Sequence, residues 1–261
     1  MRNLSLLLFV ALSSAILSAQ TQTPTPEDAL HAPDGGAREM IMSISLPPVA
    51  GAPFQATVNT QWTKHLSDGS TSVLTNHRFV ARDGQGRVYQ ERRTFVPEGS
   101  DREPRIRLIE ISSPVTHTKY YCDPSLSSCE LQSYNAPIAE AVVPVGPIGD
   151  GKRELSRASL GTKTVEGVEV IGTRETITIA PGSAIGNTAP VEETKEFWYS
   201  PKLGINLQVT RLDPMHGDQV FTVSGITLTE PDARLFVLPA KCKVTDLRVK
   251  PETASTSAPA H

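Results

Sequence analysis

The sequence predicts an all-β fold: a single antiparallel meander forming a strongly curved sheet or half-open barrel, with one short helix near the C-terminus. Three observations predict it. Apolar and polar residues alternate in run after run, as half-buried strands require. Gly, Pro, Asp and Asn clusters with turn chemistry separate the runs. Ten or more such runs occur with a single helical signal, which leaves a closed or strongly curved sheet as the way to bury one face.

The runs follow in order. Phe54 to Trp62 places apolar or β-forming residues at even positions and polar ones between, so one face is buried. Ser67-Asp68-Gly69-Ser70 turns the chain into Val73 to Arg82, and Asp83-Gly84-Gln85-Gly86 turns it again into Arg87 to Phe95. Arg105 to Ile111 is the fourth strand; Thr116 to Tyr121 and Glu130 to Tyr134 are joined by a loop holding Cys122 and Cys129. Asn135 to Gly151 is a long connection in which Pro144 and Pro147 exclude a helix of more than about two turns. Strands are expected at 155–160, 168–179, 191–199, 205–212 and 219–228, the last two joined by a turn from Asp213-Pro214 to Gly217-Asp218. The helix is placed at Glu230 to Phe236, with Pro231 near its first position and acids at its N-terminus; Leu235 and Phe236 should pin it to the sheet.

The ends differ from the middle. Arg2, the apolar run Leu4 to Leu17 and Ser18-Ala19 have the layout of a cleavable secretory signal peptide, 1–19; cleavage after Ala15 and an uncleaved anchor are the alternatives. The run falls short of the roughly 20 apolar residues of a membrane span. A flexible lead-in, 20–43, precedes the β domain, 44–246, and a Pro/Ser/Thr/Ala tail, 247–261, follows it. The chain is thus expected to be exported, to the periplasm or beyond the cell, with no integral membrane segment once mature.

With 38% hydrophobic and 20% charged residues, the 261-residue chain has an ordinary globular composition, and its net charge of −3 is interspersed, which offers nucleic acid nothing to hold. Six turn-forming residues separate Cys122 from Cys129, so an oxidising compartment is expected to join them in a small disulfide loop; two free thiols on adjacent strands are the alternative. Cys242 is left over, either buried or available for an intermolecular bond.

Several stretches carry a resemblance: Ile44-Ser45-Leu46-Pro47-Pro48, Arg82 to Arg87, Ser159 to Val168, Gly172 to Thr176, Ala184 to Asn187, Trp198-Tyr199-Ser200-Pro201, and Glu230-Pro231-Asp232 with Leu235-Phe236 and Pro239. Together they resemble uncharacterised exported β-domain proteins common in acidobacteria, a resemblance that implies no reaction. The C-terminal third also resembles, more distantly, lipoprotein-carrier-type domains, whose half-open barrels hold acyl chains on the concave face. The long amphipathic helices that plug those barrels have no counterpart in this sequence.

Catalytic constellations are missing from the pattern. His65, His77, His117 and His216 show no metal-ligand spacing, so no metal and no cofactor is expected. Gly182-Ser183-Ala184-Ile185-Gly186 lacks the strand-to-helix context of a nucleophile elbow and reads as a loop. Glu192 and Glu193 point to opposite faces of one strand; Glu196 shares a face with Glu192. Arg92, Arg93, Arg102, Arg105 and Arg107 gather basic charge that suits a carboxylate or phosphate, with Glu91, Asp101 and Glu103 as balancing acids. The expectation is a non-enzymatic binding or carrier domain for a lipophilic or peptide-like partner. The alternative is a module that docks another envelope protein through strand edges or the Trp62 and Trp198 regions.

Overall fold

The computed structural model describes residues 44–135, 142–183 and 185–248. The expected signal peptide and lead-in, and the tail beyond 248, lie outside the described residues.

Alternation builds fourteen strands: β1 (Phe54–His65), β2 (Thr71–Arg82), β3 (Val88–Arg93), β4 (Val96–Pro97), β5 (Ile106–Ser113), β6 (Thr118–Asp123), β7 (Ser128–Ser133), β8 (Gly146–Ile148), β9 (Arg153–Val165), β10 (Val168–Ile179), β11 (Val191–Ser200), β12 (Ile205–Leu212), β13 (Asp218–Thr227) and β14 (Lys243–Asp246). They form one curved, unclosed sheet in the order β14-β7-β6-β5-β3-β2-β1-β13-β12-β11-β10-β9-β8, with β4 paired to β2. Two meanders of local hairpins thus meet at a long-range seam, where β1 pairs antiparallel with β13. Every pairing is antiparallel except β14 on β7.

Register decides which side chains share a face. Phe54, Ala56 and Val58 of β1 lie on one face with Val80 and Val88 on one side of the seam. On the other side they share it with Val223, Phe221, Val209 and Phe197. All are buried, and Ile44 and Leu46 pack onto them from the chain before β1. This is the inner face. The opposite face carries a smaller cluster, Ala81, Tyr89 and Ile111, covered by Leu235, Phe236 and Leu238.

The helix expected at 230–236 is a 3-10 turn, Ala233–Phe236, capped by Asp232, whose carboxylate accepts from the Arg234 amide. Its Leu235 and Phe236 do pin it to the sheet. Besides the two-residue β4, two short strands went unread in the sequence. One is β8, inside the long connection, where Pro147 leaves a ladder only three residues long. The other is β14, whose four residues are all exposed and carry no alternation.

The buried polar residue that ties the fold together is Arg82, fully enclosed beside Phe54. Its guanidinium donates to the carbonyls of Ala52 (3.0 Å), Pro47 (3.0 Å) and Leu203 (2.7 Å). Burial without a carboxylate partner lowers its pKa to about 10. Arg82 thus joins the chain entering β1 to the turn between β11 and β12, across the seam.

Candidate binding face

Away from the apolar cluster, the inner face becomes charged. Gln90 of β3 stands opposite Val80, and Glu110 of β5 stands opposite Gln90. Tyr121 of β6 stands opposite Glu110, and Lys119 lies two residues away on the same face. Arg78 and Arg92 complete the group on β2 and β3. Alternation, which buries Val80 and Val88, therefore also turns these polar residues inward.

Glu110 is the acid at the centre. Its carboxylate meets Arg92 Nη2 at 2.8 Å and Lys119 Nζ at 2.8 Å, and only 5% of its side chain is exposed. Burial pushes the carboxyl pKa up, but Lys119 and Arg92 outweigh that and hold it below its ordinary value. Burial also opposes the charge on Lys119, and Glu110 again prevails, raising the ammonium pKa. Among the described residues, Arg78 hydrogen-bonds to neutral partners: Gln90 Oε1 at 3.0 Å and the Ile44 carbonyl at 2.9 Å. Burial, then repulsion from Arg92, lowers its pKa to about 10.

Among the described residues, three cations, Arg78, Arg92 and Lys119, therefore gather around one buried carboxylate, an excess of two positive charges in a chain whose net charge is −3. Glu130 shares the face from β7 but is exposed. Tyr134, just past β7, has a buried hydroxyl with no hydrogen-bond partner among the described residues. It lies near enough to Lys119 and Glu110 to feel both charges. Half-buried apolar groups adjoin the cluster. Leu108 faces Arg92 across the ladder, and the Lys119 ammonium lies 4.9 Å from the Tyr121 ring; four residues beyond Val58 along β1, Trp62 packs edge-on against Phe95. Such a face can hold an anionic group with an apolar portion beside it.

The five arginines singled out from the sequence separate. Arg92 turns inward, whereas Arg93 pairs with Glu91 (2.8 Å) and Glu103 (3.0 Å). Arg102, Arg105 and Arg107 are exposed; the first two line an open recess with Phe95 and Glu103. The histidines stay apart: His65 meets Asp218 (3.2 Å), His77 meets Glu103 (2.8 Å), His216 meets Asp213 (2.8 Å), and His117 sits in an exposed turn. Ser183 lies in a turn and donates to Asn187 Oδ1 at 2.7 Å. Glu193 pairs with Arg153, and Glu196 with Arg174. The Trp198 ring is half-buried against the main apolar cluster under Lys163 Nζ, rather than free for a partner.

Arg78, Glu110 and Lys119 escaped the sequence reading. Each sits at an alternating position of a strand that was recognised, so strand register alone pointed to them. Cys242, left over in the sequence, lies beside Cys122 and Cys129: the three sulfurs are within 4.8 Å of one another, the one such cluster of potential metal ligands among the described residues.

Fold and face together define an open, curved antiparallel β domain with a cationic zone on its inner face. No protein-family model matches the sequence. No curated protein matches it either. Among solved structures it is similar to an uncharacterized conserved protein from Thermus thermophilus, at 12% identity over 75% of this chain and 91% of that one, with a TM-score of 0.38. It is also similar to a LolA superfamily protein from Nitrosomonas europaea, at 11% identity over 74% and 92%, TM-score 0.30. LprF from Mycobacterium bovis follows at 14% identity over 70% and 90%, TM-score 0.26. Likenesses of this size carry no information about ligands. No described helix is long and apolar enough to cross a membrane.

Proposed function

We propose that the chain is an exported, non-enzymatic binding or carrier domain of the cell envelope that holds an anionic amphiphile on its inner face. Arg78, Arg92 and Lys119 take the carboxylate or phosphate group, the Tyr134 hydroxyl donates to it, and Leu108, Tyr121, Trp62 and Phe95 line the apolar part. The observation that carries this reading is the excess, among the described residues, of three buried or half-buried cations over one carboxylate, beside a buried hydroxyl with no partner among those residues. Buried charge without a counter-charge is costly, and an arriving anion removes that cost. The leader read at residues 1–19 supports export.

The test is native mass spectrometry of the mature protein purified from a periplasm, before and after solvent extraction. A retained, extractable anionic lipid-sized mass supports the reading. A clean apoprotein mass, together with no uptake of a long-chain carboxylate added back, overturns it and turns attention to a protein partner.

A further inference from the structure

Cys122 and Cys129 are direct cross-strand partners on β6 and β7, with Cα atoms 4.0 Å apart. Cys242 precedes β14, which runs parallel to β7 and sets Val244 beside Cys129; the Cα atoms of Cys129 and Cys242 are 6.1 Å apart. Cys129 is therefore within disulfide reach of both others. A sulfur forms one disulfide at a time, so the two pairings exclude each other and one thiol is always left.

We propose that Cys122, Cys129 and Cys242 form a thiol–disulfide exchange centre in which Cys129 alternates between two partners and thereby ties or frees the C-terminal strand. In the forward step the Cys242 thiolate attacks Cys129 Sγ. The Cys129–Cys242 bond forms as the Cys122–Cys129 bond breaks, and the electron pair leaves on Cys122 Sγ, which takes up the proton that Cys242 gave. One disulfide and one thiol stand on each side, so no oxidant or reductant is consumed.

The two isomers do different things to the fold. A Cys122–Cys129 bond joins two strands already paired along their whole length, and adds little to what the ladder fixes. A Cys129–Cys242 bond ties down β14, which buries no residue and is otherwise held by its parallel ladder and by backbone bonds such as Lys243 N to Ser127 O (2.9 Å) and Leu247 N to Leu131 O (2.8 Å). The centre also sits where exchange chemistry is feasible. Cys122 and Cys129 are buried, Cys242 is partly open, and Lys241 and Lys243 flank it in sequence, a setting that favours the thiolate. When Cys242 lets go, β14 is held to the β7 edge by non-covalent contacts alone.

The experiment needs no variant to begin. The natural protein is acid-quenched, alkylated and digested with trypsin, which leaves Cys122 and Cys129 on one peptide, Tyr120 to Lys152, and Cys242 on another. The proposal expects one alkylated cysteine per chain, divided between Cys122 and Cys242, in a ratio that stays the same after the protein is held with catalytic glutathione, which speeds exchange without favouring either isomer. Hydrogen exchange then reads the consequence. Cys242→Ser, which leaves only Cys122–Cys129, should speed exchange at the β14 amides about tenfold over Cys122→Ser, which leaves only Cys129–Cys242. A single pairing that persists after incubation with catalytic glutathione overturns the proposal, as does equal β14 exchange in the two variants.

Discussion

Replacing Arg82 with Met should destabilise the domain by about 4–6 kcal/mol. The guanidinium makes three hydrogen bonds to carbonyls, and hydrogen bonds to a charged group contribute roughly 1.5–3 kcal/mol each. Their simple sum exceeds the prediction because bonds from one group are not additive, and because the methionine stem keeps much of the packing on Phe54. The carbonyls of Ala52 and Leu203 would lose this donor, and that of Pro47 would keep only the Val49 N–H at 3.0 Å. For a domain of this size the loss corresponds to a melting temperature lowered by about 10–20 °C. Urea titration measures it, with the m-value reporting whether both states stay as they were. Arg82→Lys should recover part of the loss, since an ammonium carries charge but cannot reach three carbonyls in a planar fork. Arg102→Met, at an exposed position, should change stability by less than about 0.5 kcal/mol. A loss below about 1 kcal/mol for Arg82→Met at unchanged m would refute the role given to this side chain.

Gly172 stands where a β-carbon would lie 2.6 Å from the Trp198 ring and 2.7 Å from the Leu160 β-carbon, so Gly172→Ala should cost about 1–3 kcal/mol and shift tryptophan emission. Gly217 combines a φ of +89° with a would-be clash of its β-carbon with the Thr63 carbonyl; Gly217→Ala should loosen the β12–β13 turn, seen as faster amide exchange at β13. Glu110 has a lowered folded-state pKa, so its share of stability is present above its unfolded value and is lost as pH falls through the folded one. Glu110→Gln should therefore flatten the acid limb of the stability–pH curve while lowering stability at neutral pH by about 3 kcal/mol, since Arg92 and Lys119 lose their shared carboxylate. Lys119 runs the other way: its raised pKa gives stability present below the unfolded value and lost as pH rises through the folded one, a limb that Lys119→Met removes.

Much of the sheet was legible because strands report themselves through period-two alternation. The runs at 168–179 and 205–212 coincide with β10 and β12. What stayed hidden has a physical cause in each case. β8 and β14 are short, and their positions come from their neighbours rather than from burial of their own side chains. The 230–236 segment carries helix-start chemistry, but Leu238 continues its apolar contact with the sheet past Val237 in extended backbone, so only a 3-10 turn forms. The cationic zone was half visible. Arg92 was noticed with its neighbours as a basic patch, yet adjacent residues on a strand face opposite ways, so Arg93 left that patch and Arg78 and Lys119, distant in sequence, joined Arg92 across the ladder. Cys242 could not be assigned because its approach to Cys129 depends on a pairing between segments 113 residues apart.

The central claim is that the inner-face cations recognise an anionic group attached to an apolar chain. The most direct measurement is titration of the mature protein with a fluorescent long-chain carboxylate and, separately, its methyl ester. The account predicts that the carboxylate binds at least about tenfold more tightly than the ester, a difference of about 1.4 kcal/mol. It also predicts that Arg78→Gln and Lys119→Gln each narrow this gap without changing affinity for the ester. Equal affinity for acid and ester, or a gap untouched by either substitution, would contradict it.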